Sequence, residues 1–231
     1  MDLQPCGDSA REGVSRSLYC RSGKRLLDIS LALMGLVIAL PFLALGALAV
    51  WLESGRPIFF MQWRVGRHSR QFKIIKLRTM RNAAEVNGAK VTASNDPRIT
   101  AVGKWLRRTK VDEIPQLFNI LKGEMSFVGP RPEIPEYVMA YTQLQTSVLN
   151  VRPGLTGPAA LAFIDEERVL ANHLNEEDFY RRVLMPAKLE LDLAYCKTIT
   201  LLTDLKLISL TLLCIFDYPT QILWKDYPGS W

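Results

Sequence analysis

The chain has 231 residues, 48% of them hydrophobic, and a net charge of +6. That is enough for one folded domain plus a membrane element, and it excludes a multispan transporter. The positive balance favours anionic partners, and phospholipid head groups, nucleotide phosphates and nucleic acid all fit that sign.

Residues 1–20 are polar and aperiodic and read as a flexible N-terminal extension. An uncharged apolar run follows over residues 29–52, with Pro41 near its middle. It is longer than a signal-peptide core and leads into Glu53 rather than a small-residue cleavage site, so it is expected to remain in the mature protein. It also exceeds the ~20 apolar residues needed to cross a bilayer. Arg21, Lys24 and Arg25 precede it, and eight basic residues (Arg56, Arg64, Arg67, Arg70, Lys73, Lys76, Arg78 and Arg81) separate Glu53 from the next acidic residue, Glu85. The positive-inside rule therefore places both flanks in the cytoplasm. A helix that breaks at Pro41 and returns to its own side satisfies this. Proline costs roughly 3 kcal/mol inside a straight helix but is tolerated in spanning ones, so the run by itself leaves both topologies open.

Residues 57–65 and 72–80 are rich in aromatic and β-branched side chains and predict a β-hairpin across the turn at 66–71. Its basic side chains alternate with Phe72, Ile74 and Leu77, so one face can pack while the other meets phosphate or lipid heads, or is simply solvated. Residues 82–95 are small and polar and predict a mobile loop. A helix is expected over 102–109, and a second carries Ile114, Leu117, Phe118 and Leu121 at helical spacing with Pro115 in its first turn. Gly/Pro-punctuated stretches at 123–132 and 152–158 read as rigid turns. Residues 189–216 form an apolar helical pattern whose longest uncharged piece, 207–216, is too short to span and is expected to lie at the membrane interface or in the core.

Cys6, Cys20, Cys196 and Cys214 have no CxxC spacing and read as reduced thiols, and His68 and His173 lack metal-box spacing. Asp112 and Glu113 are the best catalytic candidates. They are adjacent carboxylates at a helix start, behind Arg107, Arg108 and Lys110, whose charges and the helix dipole keep them ionised. One could attack phosphorus while the other holds a divalent metal. The same two residues also suit an N-cap and a first-turn dipole partner, and alone they leave both readings open.

The order of short blocks goes further. Lys24 and Asp28 are followed by Phe72-Lys73-Ile74-Ile75-Lys76-Leu77-Arg78-Thr79-Met80, then Asp96-Pro97-Arg98, then Asp112-Glu113-Ile114-Pro115-Gln116-Leu117. Met125-Ser126-Phe127-Val128-Gly129-Pro130-Arg131-Pro132-Glu133 and Val151-Arg152-Pro153-Gly154-Leu155-Thr156-Gly157 come next. This series resembles the bacterial sugar transferase family, the monotopic polyprenyl-phosphate glycosyl-1-phosphate transferases, over residues 24–207.

The resemblance implies an α+β, mostly helical membrane-associated domain with a re-entrant N-terminal helix, a small β-hairpin and interfacial amphipathic helices. The division would be an extension at 1–20, a membrane helix at 21–53 broken at Pro41, and a catalytic domain at 54–231 on the cytoplasmic face of the bacterial inner membrane. It implies transfer of sugar-1-phosphate from a UDP-sugar to undecaprenyl phosphate with release of UMP, the first step in assembling a glycoconjugate. Asp112 would be the nucleophile and Glu113 the magnesium ligand. Arg107 and Arg131 would hold phosphate oxygens, with Lys76, Arg78 and Arg152 as further phosphate-binding candidates. Lys24, Asp28 and Pro41 would fix the membrane helix. The usual Ala-Gln and Asn-Gly-Arg-like continuation of the last block is replaced here by Pro158-Ala159-Ala160-Leu161-Ala162-Phe163, so this region is expected to shape donor recognition. The additional amino-terminal spans of larger members are absent from the sequence, which suggests the minimal form. A homodimer stays open. The competing reading is a non-enzymatic tether whose basic hairpin binds anionic lipid or nucleic acid; the ordered blocks place it second, and no nucleic-acid partner is expected.

Overall fold

A computed structural model describes residues 19–81, 92 and 96–215. Most of the expected extension at 1–20 and nearly all of the expected loop at 82–95 lie outside the described residues. Tyr19–Gly23 forms a wide π turn that leads into the first helix, and the Tyr19 hydroxyl donates to Asp204 at 2.6 Å.

The apolar run forms α1 (Lys24–Ser54), a 31-residue helix that continues through Pro41. The expected break is thus absent as an interruption. Proline removes one backbone donor, and neighbouring turns carry the helix past it. α1 is long and apolar enough to cross a membrane by length and composition, and only 17% of its most apolar window is buried inside the protein. Val37, Ile38, Leu40 and Phe42, around the proline, are exposed.

Both halves of α1 pack on the same body. Ala32 joins Phe72, Ile74, Leu117, Ile120 and Met125 in one core cluster, and Leu43 and Val50 join Leu77 and Leu106 in another. The strand carrying Phe72, Ile74 and Leu77 therefore runs alongside the helix. That strand is β2 (Gln71–Leu77), paired antiparallel with β1 (Phe59–Val65) in the register Phe59↔Leu77 to Val65↔Gln71. The hairpin thus forms where period-2 alternation predicts it.

α2 (Ala101–Thr109) starts at Thr100, whose hydroxyl accepts from Gly103 N–H, while Glu53 at the end of α1 accepts from Ala101 and Val102 N–H. These bonds satisfy donors that a helix start leaves unpaired and tie α2 to α1. A 3₁₀ turn, Val111–Glu113, links α2 to α3 (Gln116–Lys122), which ends at Gly123 with φ 85°.

The two Gly/Pro stretches were expected to be turns only. Each instead contributes a short strand, β3 (Ser126–Val128) and β4 (Gly154–Thr156), paired in parallel. Three residues per strand are too few to show a period, and the pairing depends on close approach: a Cβ at Gly154 would stand 2.2 Å from the Gly129 nitrogen. Short helices follow as α4 (Pro135–Val138), α5 (Pro158–Ala162), α6 (Glu166–Leu170) and α7 (Glu176–Phe179).

The closing helical pattern is two helices, α8 (Met185–Lys197) and α9 (Leu201–Ile215). At the break the Thr200 hydroxyl accepts from Thr203 N–H at 3.1 Å, as a helix-starting threonine does. Tyr137, Val148, Leu170, Tyr180, Leu184 and Leu189 form the core beneath α8, and Leu207 of α9 packs with Val128, Leu161, Tyr195 and Ile199. Over the described residues the fold is α+β and mostly helical, with two small sheets and one long apolar helix.

Candidate active site

The acid pair is placed by α1 itself. Lys110 closes α2 in the left-handed region, with φ 58°, and the chain turns at once into Val111–Glu113. Gly46 on α1 is buried beneath this turn: a Cβ there would meet Leu77 at 2.9 Å, Leu106 at 3.2 Å and Val111 at 3.4 Å. Its missing side chain lets the helix pass directly behind the residue before Asp112. Neither Lys110 nor Pro115 caps its helix through a side chain, and Asp112 belongs to the 3₁₀ turn. The capping alternative is therefore not what these carboxylates do.

Asp112 and Glu113 are neighbours with opposite electrostatics. Glu113 Oε1 accepts from Lys76 Nζ at 2.6 Å and from Arg131 Nη2 at 3.0 Å. Burial disfavours its charge, but Lys76, Arg131 and Lys110 overcome this and hold its carboxyl well below the usual range. Asp112 is 7% exposed, and its Oδ1 has no hydrogen-bond partner. Burial pushes it up to about 6, with Glu113 adding to the rise and Lys76, Lys110 and Arg107 opposing it. Lys76 is in turn lowered by burial and supported by Glu113, while Glu113 raises Arg131. The result is one firmly ionised carboxylate beside one whose charge is costly and whose oxygen is unengaged, as a nucleophile titrating near neutrality requires.

The remaining candidates divide. Arg107 lies near enough to bias Asp112, but its guanidinium is held by Glu167 Oε1 at 2.7 Å. Arg78 lies at the carboxyl end of α1, donating to the Ser54 and Gly55 carbonyls at 2.8 and 3.0 Å, where a cation also complements the helix dipole. Arg152 donates to the Gly123 carbonyl at 2.9 Å. Lys76 and Arg131 meet at Glu113; Arg78 and Arg152 instead hold backbone carbonyls.

The membrane-helix candidates form long-range ties. Lys24 Nζ donates to Asp204 Oδ2 at 2.5 Å and to the Tyr195 hydroxyl at 3.1 Å, joining α1 to α9 and α8. Asp28 Oδ1 accepts from Ser126 Oγ and Phe127 N–H, both at 2.9 Å, joining α1 to β3.

Several residues around the site escaped the sequence reading. Arg131 leaves the β3 turn with its N–H on Asp192 Oδ2 at 3.4 Å, and burial pushes Asp192 up to about 7. Buried Lys188 bridges Glu166 at 2.8 Å and the Tyr180 hydroxyl at 3.1 Å, and that hydroxyl donates to Glu133. Only Glu133 lay within a recognisable block. The others come from helices whose residues read locally as ordinary surface charge.

Among the described residues, no cluster of three or more His, Cys, Asp or Glu is placed to hold a metal ion. The carboxylates nevertheless fit magnesium, which commonly takes one or two carboxylate oxygens and completes its shell with water and substrate phosphates. Glu113 is ionised with both of its bonds on Oε1, and the buried Asp112 Oδ1 beside it is unpartnered. Cys196 and Cys214 form no disulfide.

These features place a buried, cation-flanked acid pair against a helix long and apolar enough to cross a membrane. The chain belongs to the bacterial sugar transferase family, whose model matches residues 19–218. It is 38% identical over 197 residues to an undecaprenyl-phosphate glucose phosphotransferase of Komagataeibacter xylinus, covering 82% of this chain and 35% of that one. A UDP-N-acetylgalactosamine-undecaprenyl-phosphate N-acetylgalactosaminephosphotransferase of Aeromonas hydrophila is 38% identical over 165 residues, covering 68% and 38%. The UDP-glucose:undecaprenyl-phosphate glucose-1-phosphate transferase of Escherichia coli strain K12 is 36% identical over 210 residues, covering 90% and 42%. The chain spans less than half the length of each of these relatives.

Proposed function

We propose that this chain is a phosphoglycosyl transferase that moves sugar-1-phosphate from a UDP-sugar to undecaprenyl phosphate. The observation that carries the reading is the unpartnered, buried Asp112 oxygen beside an ionised Glu113 held by Lys76 and Arg131. In the first half-reaction an Asp112 oxygen forms a bond to the β-phosphorus of the donor, the bond from that phosphorus to the bridging oxygen breaks, and UMP leaves. In the second, an oxygen of undecaprenyl phosphate attacks the same phosphorus and frees the Asp112 carboxylate, giving a polyprenyl diphosphate sugar. Magnesium held by Glu113 would supply positive charge to the donor phosphates. Lys76 and Arg131 hold Glu113 in place, and burial raises the basicity of Asp112 so that it is reactive yet mostly ionised at neutral pH.

Placement supports the same reading. A helix that enters and leaves one leaflet explains why the two halves of α1 pack on one body. A straight spanning helix would carry β2, which runs along it, into the hydrocarbon with its polar backbone. The exposed residues around Pro41 form the part that dips into lipid, while Lys24, Asp204, Asp28 and Ser126 hold one end at the surface. α9, with Leu202 and Leu212 exposed, lies at the interface. Both ends of α1, and the acid pair, then face the cytoplasm, where a soluble nucleotide sugar and a lipid phosphate can both reach Asp112. Relatives whose names specify different sugars leave the donor to experiment.

The test is UMP release from a panel of UDP-sugars with undecaprenyl phosphate, in wild type and Asp112→Asn. Wild type should release UMP with at least one donor and the variant with none. Undiminished release by the variant would remove Asp112 from the chemistry.

A further inference from the structure

α6 is idle in the reaction just described, yet its first two residues grip basic side chains. Glu167 Oε1 accepts from Arg107 Nη2 at 2.7 Å and Nε at 3.2 Å, and Glu166 Oε2 accepts from Lys188 Nζ at 2.8 Å. Arg107 lies within electrostatic reach of Asp112, and Glu166 within reach of Arg131. Each glutamate therefore acts on an arginine of the site, Glu167 by direct contact with Arg107 and Glu166 through its charge on Arg131. Acidic groups paired with the cations of a site that must admit a diphosphate oppose its binding unless they yield.

The two grips differ in a way that decides which can yield. Lys188 and Glu166 are 6% and 25% exposed, and the same ammonium also bonds the Tyr180 hydroxyl and lies 3.7 Å from Glu133. That end of α6 is a fixture. Arg107 and Glu167 are 21% and 41% exposed, so their pair is solvated on one side and cheap to exchange. A guanidinium accepts a phosphate in the same forked geometry as a carboxylate.

We propose that Glu167 is an internal stand-in for the donor phosphate: it occupies Arg107 until the diphosphate of the nucleotide sugar displaces it, so α6 controls donor admission from a hinge held by Glu166 and Lys188. The identity of the incoming anion rests on the transferase reading; the exchange itself rests on the ion-pair geometry. One anion leaves the guanidinium as another arrives, and no covalent bond changes.

The experiment uses the full chain in lipid nanodiscs, with Glu167→Gln, Arg107→Ala and the double variant, and measures both KM for the UDP-sugar and the equilibrium Kd of UDP. Glu167→Gln should lower both about threefold, the scale of a half-exposed ion pair, with kcat within a factor of two. The gain should vanish when Arg107 is already alanine. Unchanged or raised constants in Glu167→Gln, or the same gain without Arg107, overturn the proposal. Absence of turnover by wild type with every UDP-sugar counts against the transferase reading alone, because the UDP affinities still decide the exchange. Absence of UDP binding by both wild type and Glu167→Gln overturns the exchange as well.

Discussion

Asp204 and Asp112 are both buried carboxylates with cations nearby, and they are treated in opposite ways. Asp204 is fully engaged: Oδ1 accepts from the Tyr195 hydroxyl at 2.7 Å, and Oδ2 from Lys24 at 2.5 Å and the Tyr19 hydroxyl at 2.6 Å. Around Asp112 the nearby donors go elsewhere. Lys76 and Arg131 bond Glu113, Arg107 bonds Glu167, and Asp112 Oδ1 has nothing. The first arrangement joins α1 to α8 and α9; the second leaves one oxygen unmet. Asp28 Oδ2 and Asp192 Oδ1 are buried and unpartnered too, so what sets Asp112 apart is the ionised Glu113 beside it, with Lys76 and Arg131 bonded to that neighbour instead.

The largest effect on stability should come from breaking the satisfied cluster. Lys24→Met leaves Asp204, 1% exposed, without its cation, and should destabilise the protein by about 3 kcal/mol, read from denaturant or thermal unfolding in detergent. Adding Asp204→Leu should recover part of that loss, because a buried apolar pair lacks the desolvation cost of a buried charge. A loss below ~0.5 kcal/mol in the single variant would reduce this anchor to an ordinary surface ion pair.

Neutralising the carboxylate of the open cluster should have the opposite sign. Asp112 has a folded pKa raised from 3.8 to about 6, so folding favours its protonated form. Its contribution is most favourable below pH 3.8 and is lost as pH rises through about 6, a total of about 3 kcal/mol. Asn mimics the neutral acid. Asp112→Asn should therefore match wild type near pH 4, gain on it between pH 4 and 6, and be about 3 kcal/mol more stable at pH 8. Equal stability at pH 8 would mean the Asp112 charge is compensated after all, and the contrast with Asp204 would collapse.

Much of this contrast was legible in the sequence, but unevenly. The hairpin and α2 follow from period-2 and helical patterning, and Asp112 and Glu113 stand out because ordered blocks surround them. The partner of Lys24 was not legible, since Asp204 lies 180 residues away on a helix that reads as continuous with the one before it. β3 and β4 were missed because their pairing arises from backbone approach at Gly129 and Gly154 rather than from side-chain alternation. Glu166, Glu167, Lys188 and Asp192 were missed because position in three dimensions, not residue type, separates them from surface charges. Arg78 and Arg152 show the reverse, standing in motif blocks while holding backbone carbonyls.

The central claim is that the open oxygen of Asp112 takes up the phosphosugar. Incubating the protein with its UDP-sugar donor and no lipid acceptor, then quenching and mapping peptides by mass spectrometry, tests this directly. The account predicts one sugar-phosphate adduct, localised to Asp112, appearing with an equivalent of UMP and disappearing when undecaprenyl phosphate is added. Steady turnover in the presence of acceptor with no adduct at Asp112, or with the adduct on another residue, would contradict it.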